Sequence, residues 1–168
     1  MKLLSKITHD PRVEVLLGRV IATSATSIPQ PDSKTEEEFR SIPLPKSVVF
    51  RDTKAEFFPY IVDRQDKFIS AAGHLIGADR CSNAIIYPAM SIMDWHTNTD
   101  MPGIRTYYTY TEGRAIFRYY LDGEYHEDED NIGWTARQFT IDPKAPLWHT
   151  IWTEKPRYAF GFNTTFKH

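Results

Sequence analysis

The sequence predicts a mainly β domain with a helical insert near its start. Short runs rich in β-branched and aromatic residues fill the second half of the chain, and turn sequences separate them. These turns are Met101-Pro102-Gly103, Glu112-Gly113, Asp122-Gly123 and Asp142-Pro143. The runs have the length of the antiparallel strands in a jelly roll. Because 168 residues with 41% hydrophobic content suit one core and not two, we expect a single domain over residues 1–168.

The first part of the chain predicts a strand and then a long loop. Its Val, Leu and Ile content favours a strand over residues 12–22, in one piece or interrupted at Gly18. Residues 23–45 are rich in Ser, Thr and Pro and predict a loop in which the acidic run 36–38 is solvated. Since long loops often carry function, this loop is also a candidate substrate lid.

A short strand over residues 47–51 and a helix are expected next. Thr53 and Glu56 have the spacing of a capping box at a helix start. The apolar stripe that follows consists of Phe57, Ile61, Phe68, Ile69, Ala72 and Ile76. Pro59 is expected to kink or divide this helix, and Gly73 and Gly77 mark its end.

The second half of the chain predicts a series of strands. They cover residues 83–87, 91–96, 104–110, 114–121, 134–141, 148–153 and 157–166. The acidic segment 124–130 contains His126, but clustered like charges predict a solvated hairpin loop rather than a metal cluster. Alternation along the last strand places Arg157, Ala159, Gly161 and Asn163 on one face, and Tyr158, Phe160 and Phe162 on the other. The first of these faces leaves space beside a cation.

Composition excludes several classes of protein. With 20 basic and 22 acidic residues, the formal charge of −2 offers no general attraction for nucleic acid. The single cysteine, Cys81, excludes an intramolecular disulfide and suits a reducing compartment. No run approaches the roughly 20 apolar residues of a membrane-spanning helix, and Asp10, Pro11 and Glu14 interrupt any secretory signal. We therefore expect a cytoplasmic protein with no nucleic-acid or membrane partner.

Two histidines and one arginine carry the strongest indication of chemistry. A non-haem iron centre that activates O2 commonly uses two His and one carboxylate, which leaves open coordination positions. Side chains two apart on an extended segment share a face, so His96 and Asn98 are positioned for one metal, and His149 comes from a distant strand. Arg157 offers a carboxylate two parallel hydrogen bonds. An ion pair with a nearby acid is its alternative role.

Six sequence blocks occur in an ordered series over about half of the chain. They are Asn83-Ala84-Ile85-Ile86-Tyr87-Pro88, Asp94-Trp95-His96-Thr97-Asn98, Gly103-Ile104-Arg105-Thr106-Tyr107-Tyr108, Glu112-Gly113-Arg114-Ala115-Ile116-Phe117, Leu147-Trp148-His149 and Arg157-Tyr158-Ala159-Phe160. In order and rough spacing they resemble the core of the 2-oxoglutarate and Fe(II)-dependent oxygenases, and most closely the prolyl-hydroxylase-like branch. The set is more specific than any one block.

The resemblance implies a cupin-like double-stranded β-helix and a role for individual residues. His96 and His149 would bind iron, and Arg157 would hold the far carboxylate of 2-oxoglutarate, to which Tyr87 would also donate. Arg105 would meet substrate or cosubstrate. Tyr108 and Tyr110 would line the pocket, although packing in the sheet is the alternative for both tyrosines. Trp95 and Trp148, which precede the histidines, are expected to face away from the metal.

Asn98 departs from the pattern of the family, which has a carboxylate two residues after the first histidine. An amide oxygen can coordinate a metal but carries no charge, so it would hold Fe(II) less tightly. Asp100 is a second candidate, although the chain would have to turn back to bring it to the metal. Some relatives, including aspartyl-hydroxylase-like enzymes and the iron halogenases, are thought to work with two histidines.

The resemblance implies hydroxylation of a C–H bond by O2, with conversion of 2-oxoglutarate into succinate and CO2. The substrate would be a small molecule or a peptidyl side chain. Asn98 favours an alternative, a binding or structural module of the same fold that has lost catalysis. A metal-dependent hydrolase is a third reading, and residues 144–147 disfavour it because they supply no acid before His149.

Overall fold

The computed structural model describes residues 4–24, 32–45, 60–61, 66–97 and 102–165. The helices in these ranges are α1 (Pro11–Thr23), α2 (Glu36–Ser41) and α3 (Lys67–Leu75). The strands are β1 (Leu4–Ile7), β2 (Tyr60–Ile61), β3 (Arg80–Tyr87), β4 (Ser91–His96), β5 (Gly103–Thr111), β6 (Ala115–Leu121), β7 (Glu124–Glu129), β8 (Gly133–Ile141), β9 (Trp148–Thr153) and β10 (Arg157–Thr165). The predicted strand at 47–51 and the helix start at Thr53 and Glu56 lie outside the described residues.

Two antiparallel sheets face each other. The larger has the order β1-β8-β5-β10-β3-β2, and the smaller has the order β4-β9-β6-β7. From β3 to β10 the chain crosses repeatedly from one sheet to the other, and only β6 and β7 are successive strands of the same sheet in this part. Their inner faces share an apolar cluster in which Tyr87 and Ala159 of the larger sheet pack with Met93, Phe117 and Ile151 of the smaller. The prediction of a mainly β, antiparallel chain is confirmed for the described residues.

The strand predicted over residues 12–22 is wrong, because this segment is helix α1. The Asp10 side chain caps it by accepting from the Arg12 amide, and Pro11 occupies its first turn. Its buried face consists of Val13, Leu17 and Val20. This spacing has the helical period, whereas in a strand Val15 would share a face with Val13 and Leu17. Val15 is 60% exposed, so the period outweighs the β-branched composition.

Helices α1 and α3 cover the outer face of the larger sheet. Leu17 and Ile69 pack in one cluster with Tyr108, Phe160 and Phe162. The predicted helix is confirmed over Lys67–Leu75, and Asp66 is its N-cap. Ile61, which was expected on its apolar stripe, belongs to β2 instead. Gly77 follows the helix with a φ of +68°, a conformation that favours glycine, so this predicted end is confirmed, whereas Gly73 lies within the helix.

Helix α2 replaces part of the predicted loop. Thr35 caps it by accepting from the Glu38 amide, and Glu36 is ion-paired with Arg40 and Arg114 rather than solvated. Phe39 packs with Ile92, Ile116 and Trp152 on the outer face of the smaller sheet. Residues 32–45 therefore cover the outside of that sheet and not the space between the sheets, which removes this part of the expected lid.

Three of the described strands were not predicted: β1, β7 and β2, which lies where a helix was expected. β1 pairs with β8, and β7 pairs with β6 where a solvated acidic loop was expected. The charged side chains of β7 are tolerated because this strand lies at the edge of the smaller sheet. Within the described ranges, no helix is both long enough and apolar enough to cross a membrane.

The two sides of α1 provide a matched test of its assignment as a helix. Leu17→Ala should lower the free energy of unfolding by about 2 to 5 kcal/mol, because it removes a fully buried side chain. Val15→Ala, on the exposed side, should change it by less than about 0.5 kcal/mol. Chemical denaturation of both variants measures the difference. Equal losses of unfolding free energy in the two variants would contradict the assignment of this segment as a helix.

Candidate metal and anion site

A cavity of about 60 Å³ lies between the inner faces of the sheets. This volume has room for several water molecules, so it exceeds an ordinary packing defect. Apolar side chains from both sheets form part of its wall. The polar residues of the wall are Asn83, Tyr87, His96, Tyr107, Arg137, His149 and Arg157. Apart from Asn83, Tyr107 and Arg137, these are residues that the sequence singled out for metal or anion binding.

The two histidines lie directly opposite each other on neighbouring strands. His96 of β4 pairs with His149 of β9, and their ring centroids are 4.2 Å apart. Between the Met93–Ile151 pair and this pair, β4 has one residue more than β9, which is a β-bulge. Without the extra residue, Met93 and His96 would point to opposite faces. The bulge therefore brings both side chains to the cavity.

Backbone carbonyls fix the orientation of both imidazoles. Nδ1 of His96 lies 2.7 Å from the Asp94 carbonyl oxygen, and Nδ1 of His149 lies 2.9 Å from that of Leu147. Since a carbonyl oxygen can only accept, Nδ1 carries the proton and donates in each case, and Nε2 keeps its lone pair. Metal-binding histidines are commonly oriented by such a bond from their other nitrogen.

Burial keeps both imidazoles neutral. It lowers the pKa of His96, and it lowers the pKa of His149 well below 6.5, where the neighbouring His96 contributes further. Phe117 stacks on the His149 ring at a centroid distance of 5.2 Å, and Phe139 contacts the same ring at 5.8 Å. A metal ligand must be the neutral imidazole, so the pair is ready to coordinate without losing protons.

A third protein ligand is not found among the described residues. No group of three or more His, Cys, Asp or Glu side chains that could hold a metal occurs in that part of the chain. The two candidates from the sequence, Asn98 and Asp100, lie outside it. The described site is therefore a two-histidine pair.

Arg157 lies in the same cavity and is paired with a buried acid. Its Nε donates to Asp130 Oδ2 at 2.8 Å, and Arg137 Nη1 donates to Asp130 Oδ1. The alternative role considered for Arg157, an ion pair, is thus confirmed. Asp130 was expected in a solvated loop, but its side chain is only 1% exposed. Although burial raises the pKa of Asp130, the two guanidinium groups outweigh this effect and hold it below 3.8.

The cavity wall beside Arg157 has excess positive charge. Arg157 and Arg137 share one buried carboxylate, and the second acid on Arg137 is Asp128, whose side chain is 33% exposed and so a weaker counter-charge. The Arg157 guanidinium lies 5.3 Å from the Tyr87 ring centroid. Burial raises the pKa of Tyr87 to about 12, so its hydroxyl stays protonated and can donate. The arrangement suits a small anion.

Sequence reasoning missed Arg137. Alternation along the predicted strand 134–141 places it on the same face as Phe139 and Ile141. A cation on an otherwise apolar strand face is the signal that could have identified it, because such a group needs a buried partner or a ligand.

The expected pocket role of Tyr108 is wrong. Its hydroxyl accepts from the Asp10 amide at 3.0 Å on the outer face of the larger sheet, and Tyr110 packs on Trp134. Tyr107 lines the cavity instead. Neighbouring residues of a strand point to opposite faces, so Tyr107 points inward where Tyr108 points outward. Arg105 shares the inner face with Tyr107 and donates to its hydroxyl at 3.1 Å.

The tryptophans before the histidines face away from the cavity, as predicted. Trp95 Nε1 donates to the Ile42 carbonyl oxygen, which belongs to the segment that follows α2. Trp148 is buried and lies on the same face of β9 as Trp152, which packs against Phe39 of α2. These residues therefore stabilise the outer layer of the smaller sheet.

Comparison with known proteins gives a fold and no family. No family model and no curated protein matches the chain. A Pseudomonas putida prolyl-4-hydroxylase matches its structure with a TM-score of 0.52 and 14% identity, over 98% of this chain and 94% of the other. A prolyl hydroxylase in complex with a hypoxia inducible factor oxygen degradation domain peptide fragment, from Trichoplax adhaerens, matches with a TM-score of 0.52 and 14% identity, over 96% and 82%. The chain shares the overall fold of these prolyl hydroxylases.

The buried imidazoles predict a pH dependence of stability in the metal-free protein. Between pH 6.5 and their lowered pKa values, the unfolded chain binds protons that the folded chain does not. Acidification through this range should therefore lower the free energy of unfolding, by at most about 1.4 kcal/mol per pH unit for each group. His149→Phe should show a weaker dependence in urea unfolding at several pH values. His74→Gln, on the exposed side of α3, is the control, and identical slopes for wild type and His149→Phe would refute the argument.

Proposed function

We propose that this chain is a 2-oxoglutarate- and Fe(II)-dependent oxygenase that hydroxylates a C–H bond of a small-molecule or peptidyl substrate. In this proposal the two sheets form a double-stranded β-helix, and His96, His149 and Arg157 form the catalytic site. The observation that carries it is the presence, in one cavity, of two neutral, oriented imidazoles and a buried guanidinium. The overall fold shared with prolyl hydroxylases supports the same class.

The histidine pair fits an iron ion. Imidazole nitrogen suits Fe(II), and two protein ligands leave several coordination positions for other groups. His96 and His149 would hold the metal through Nε2, because Nδ1 of each ring donates to a carbonyl oxygen. Asn98 remains the first candidate for a third ligand, on sequence grounds, and Asp100 the second.

The part of the cavity wall that contains Arg157 and Arg137 fits a dicarboxylic acid. Arg157 would hold the far carboxylate of 2-oxoglutarate, with Asp130 fixing the guanidinium through Nε. Tyr87, whose raised pKa keeps its proton in place, would donate to the same molecule. Arg137 adds positive charge on the neighbouring part of the wall. Arg105 lies on the same inner face and is a further candidate contact.

The protein's own contribution would be to position and shield these groups. Bound iron and 2-oxoglutarate would supply the oxidising chemistry, with 2-oxoglutarate converted to succinate and CO2. Phe117 and Phe139 hold the His149 ring in place, and together with Met93 and Ile151 they make much of the cavity wall apolar. An apolar wall limits water near the site and protects a reactive oxidant from side reactions.

A non-catalytic binding module is the second candidate. One observation favours it: the described residues bring two candidate metal ligands together, with no third His, Cys, Asp or Glu side chain beside them. Such a module would bind a dicarboxylate at the arginines without metal-dependent turnover.

Turnover of 2-oxoglutarate tests the proposal. The purified protein should form succinate when supplied with Fe(II), O2 and 2-oxoglutarate, and His149→Ala should lower this rate by more than about 100-fold, because it removes a metal ligand. His74→Gln should retain the wild-type rate. Unchanged turnover in His149→Ala would remove His149 from the site. Absence of turnover in folded wild type, with dicarboxylate binding that depends on Arg157, would favour the binding module.

A further inference from the structure

A group of polar residues on the inner face of the larger sheet includes two asparagines that take no part in the proposed holding of iron or of 2-oxoglutarate. We name it the amide cluster, and it consists of Asn83 on β3, Arg105 and Tyr107 on β5, and Asn163 on β10. Asn163 lies opposite Arg105, and Gly161 lies between Asn83 and Tyr107 in the ladder. The Tyr107 hydroxyl accepts from Arg105 Nη1 at 3.1 Å and from Asn83 Nδ2 at 3.3 Å.

Three side-chain amide atoms of the two asparagines in the amide cluster are buried without a hydrogen-bond partner in the described part of the chain. Asn163 is 3% exposed, and neither its Oδ1 nor its Nδ2 is hydrogen-bonded within the described part of the chain. Oδ1 of Asn83 is also buried and has no hydrogen-bond partner there. Buried side-chain amides are almost always hydrogen-bonded, since an unmet donor or acceptor is costly. Asn83 lines the cavity, and Asn163 lies two residues beyond Gly161 on the same face of β10. Unmet atoms at this position indicate a ligand that would complete their hydrogen bonds.

Gly161 makes room for this arrangement. A Cβ at this position would collide with Asn83 Oδ1 and would lie 2.7 Å from Tyr107 Cε1. Any other residue would therefore displace both side chains. The absence of a side chain on β10 is what allows Asn83 and Tyr107 to occupy the inner face, so the cluster depends on three neighbouring strands.

The amide cluster lies beside the histidine pair. Asn83 and Tyr107 line the same cavity as His96 and His149. Phe139 lies opposite Arg105 in the sheet, and its ring contacts that of His149 at 5.8 Å. A molecule bound at the cluster would therefore be next to the histidine pair.

The chemistry of the unmet atoms selects the ligand. Whichever way its amide is oriented, Asn163 presents one donor and one acceptor. Asn83 presents a further acceptor. A carboxylate can only accept, so it would place oxygen against oxygen. A carboxamide group donates through N–H and accepts through C=O, and therefore complements both asparagines.

We propose that the amide cluster recognises a carboxamide group of the primary substrate, and that Asn163 determines this specificity. The inference rests on the proposed function only in naming the bound molecule the substrate. Binding of an amide requires neither iron nor 2-oxoglutarate, so it can be tested in the metal-free protein.

The test is an NMR titration of metal-free, ¹⁵N-labelled protein with acetamide, compared with acetate at equal ionic strength. The two probes have the same shape, but acetamide is neutral and can donate, whereas acetate is an anion that can only accept. Acetamide should shift the side-chain amide resonance of Asn163 in a saturable manner, and acetate should not. The Asn163→Leu variant identifies this resonance, because the resonance is missing from its spectrum. In the same variant, the side-chain amide shifts of Asn83 measure acetamide binding, which should be at least about 10-fold weaker than in wild type. Asn131→Leu, at an exposed position, should leave the response intact.

Stability provides a second readout. Asn163→Leu should raise the Tm of the ligand-free protein, because it replaces unmet polar atoms with an apolar side chain of similar shape. Asn163→Asp keeps the shape but loses the amide donor, so it should also lose acetamide binding if the leucine variant does not fold. A similar response to acetate, an acetamide response that persists in both variants, or a lower Tm for a folded Asn163→Leu would overturn the proposal. None of these outcomes depends on whether the chain binds iron.

Discussion

The buried carboxylate of Asp130 is the interaction on which the cavity depends. It follows β7 of the smaller sheet and accepts from Arg137 and Arg157 of the larger sheet, so it joins the two layers. Neither guanidinium could remain buried without an acceptor. One buried carboxylate lies between two cations and stabilises both, and the second acid on Arg137, Asp128, is partly exposed, so the wall keeps a positive character. The same contact therefore stabilises the fold and holds in the cavity the guanidinium groups that the proposed function requires.

Burial has two different consequences in this cavity. Histidine can lose its proton, and the pKa values of His96 and His149 are lowered accordingly, which leaves neutral ligands. Arginine does not lose its proton in proteins, so Arg157 is retained in the interior by an ion pair. A pair of neutral imidazoles and a charged guanidinium thus occur together in one low-dielectric environment. The β-bulge in β4 joins them, since it turns His96 toward the space that Arg157 also faces.

Features set by local alternation were predictable from the sequence. The bounds of β4 and β9 and the two faces of β10 agree with the structure. Features that depend on distant partners were not: Asp130 is buried by two arginines, and the edge strand β7 forms through pairing with β6. At α1, β-branched composition concealed a helical period, and at Tyr108 an error of one position reversed the face. Asn98 and Asp100 lie outside the described residues, so their roles remain sequence predictions.

The central claim is that His96, His149 and Arg157 form one site for iron and 2-oxoglutarate. Its most direct test is an anaerobic titration of metal-stripped protein with Fe(II) and 2-oxoglutarate, followed by visible absorption. A charge-transfer band should appear when the keto acid chelates bound iron, and it should be lost in His96→Ala and Arg157→Ala. The absence of any band in folded wild-type protein would contradict the claim.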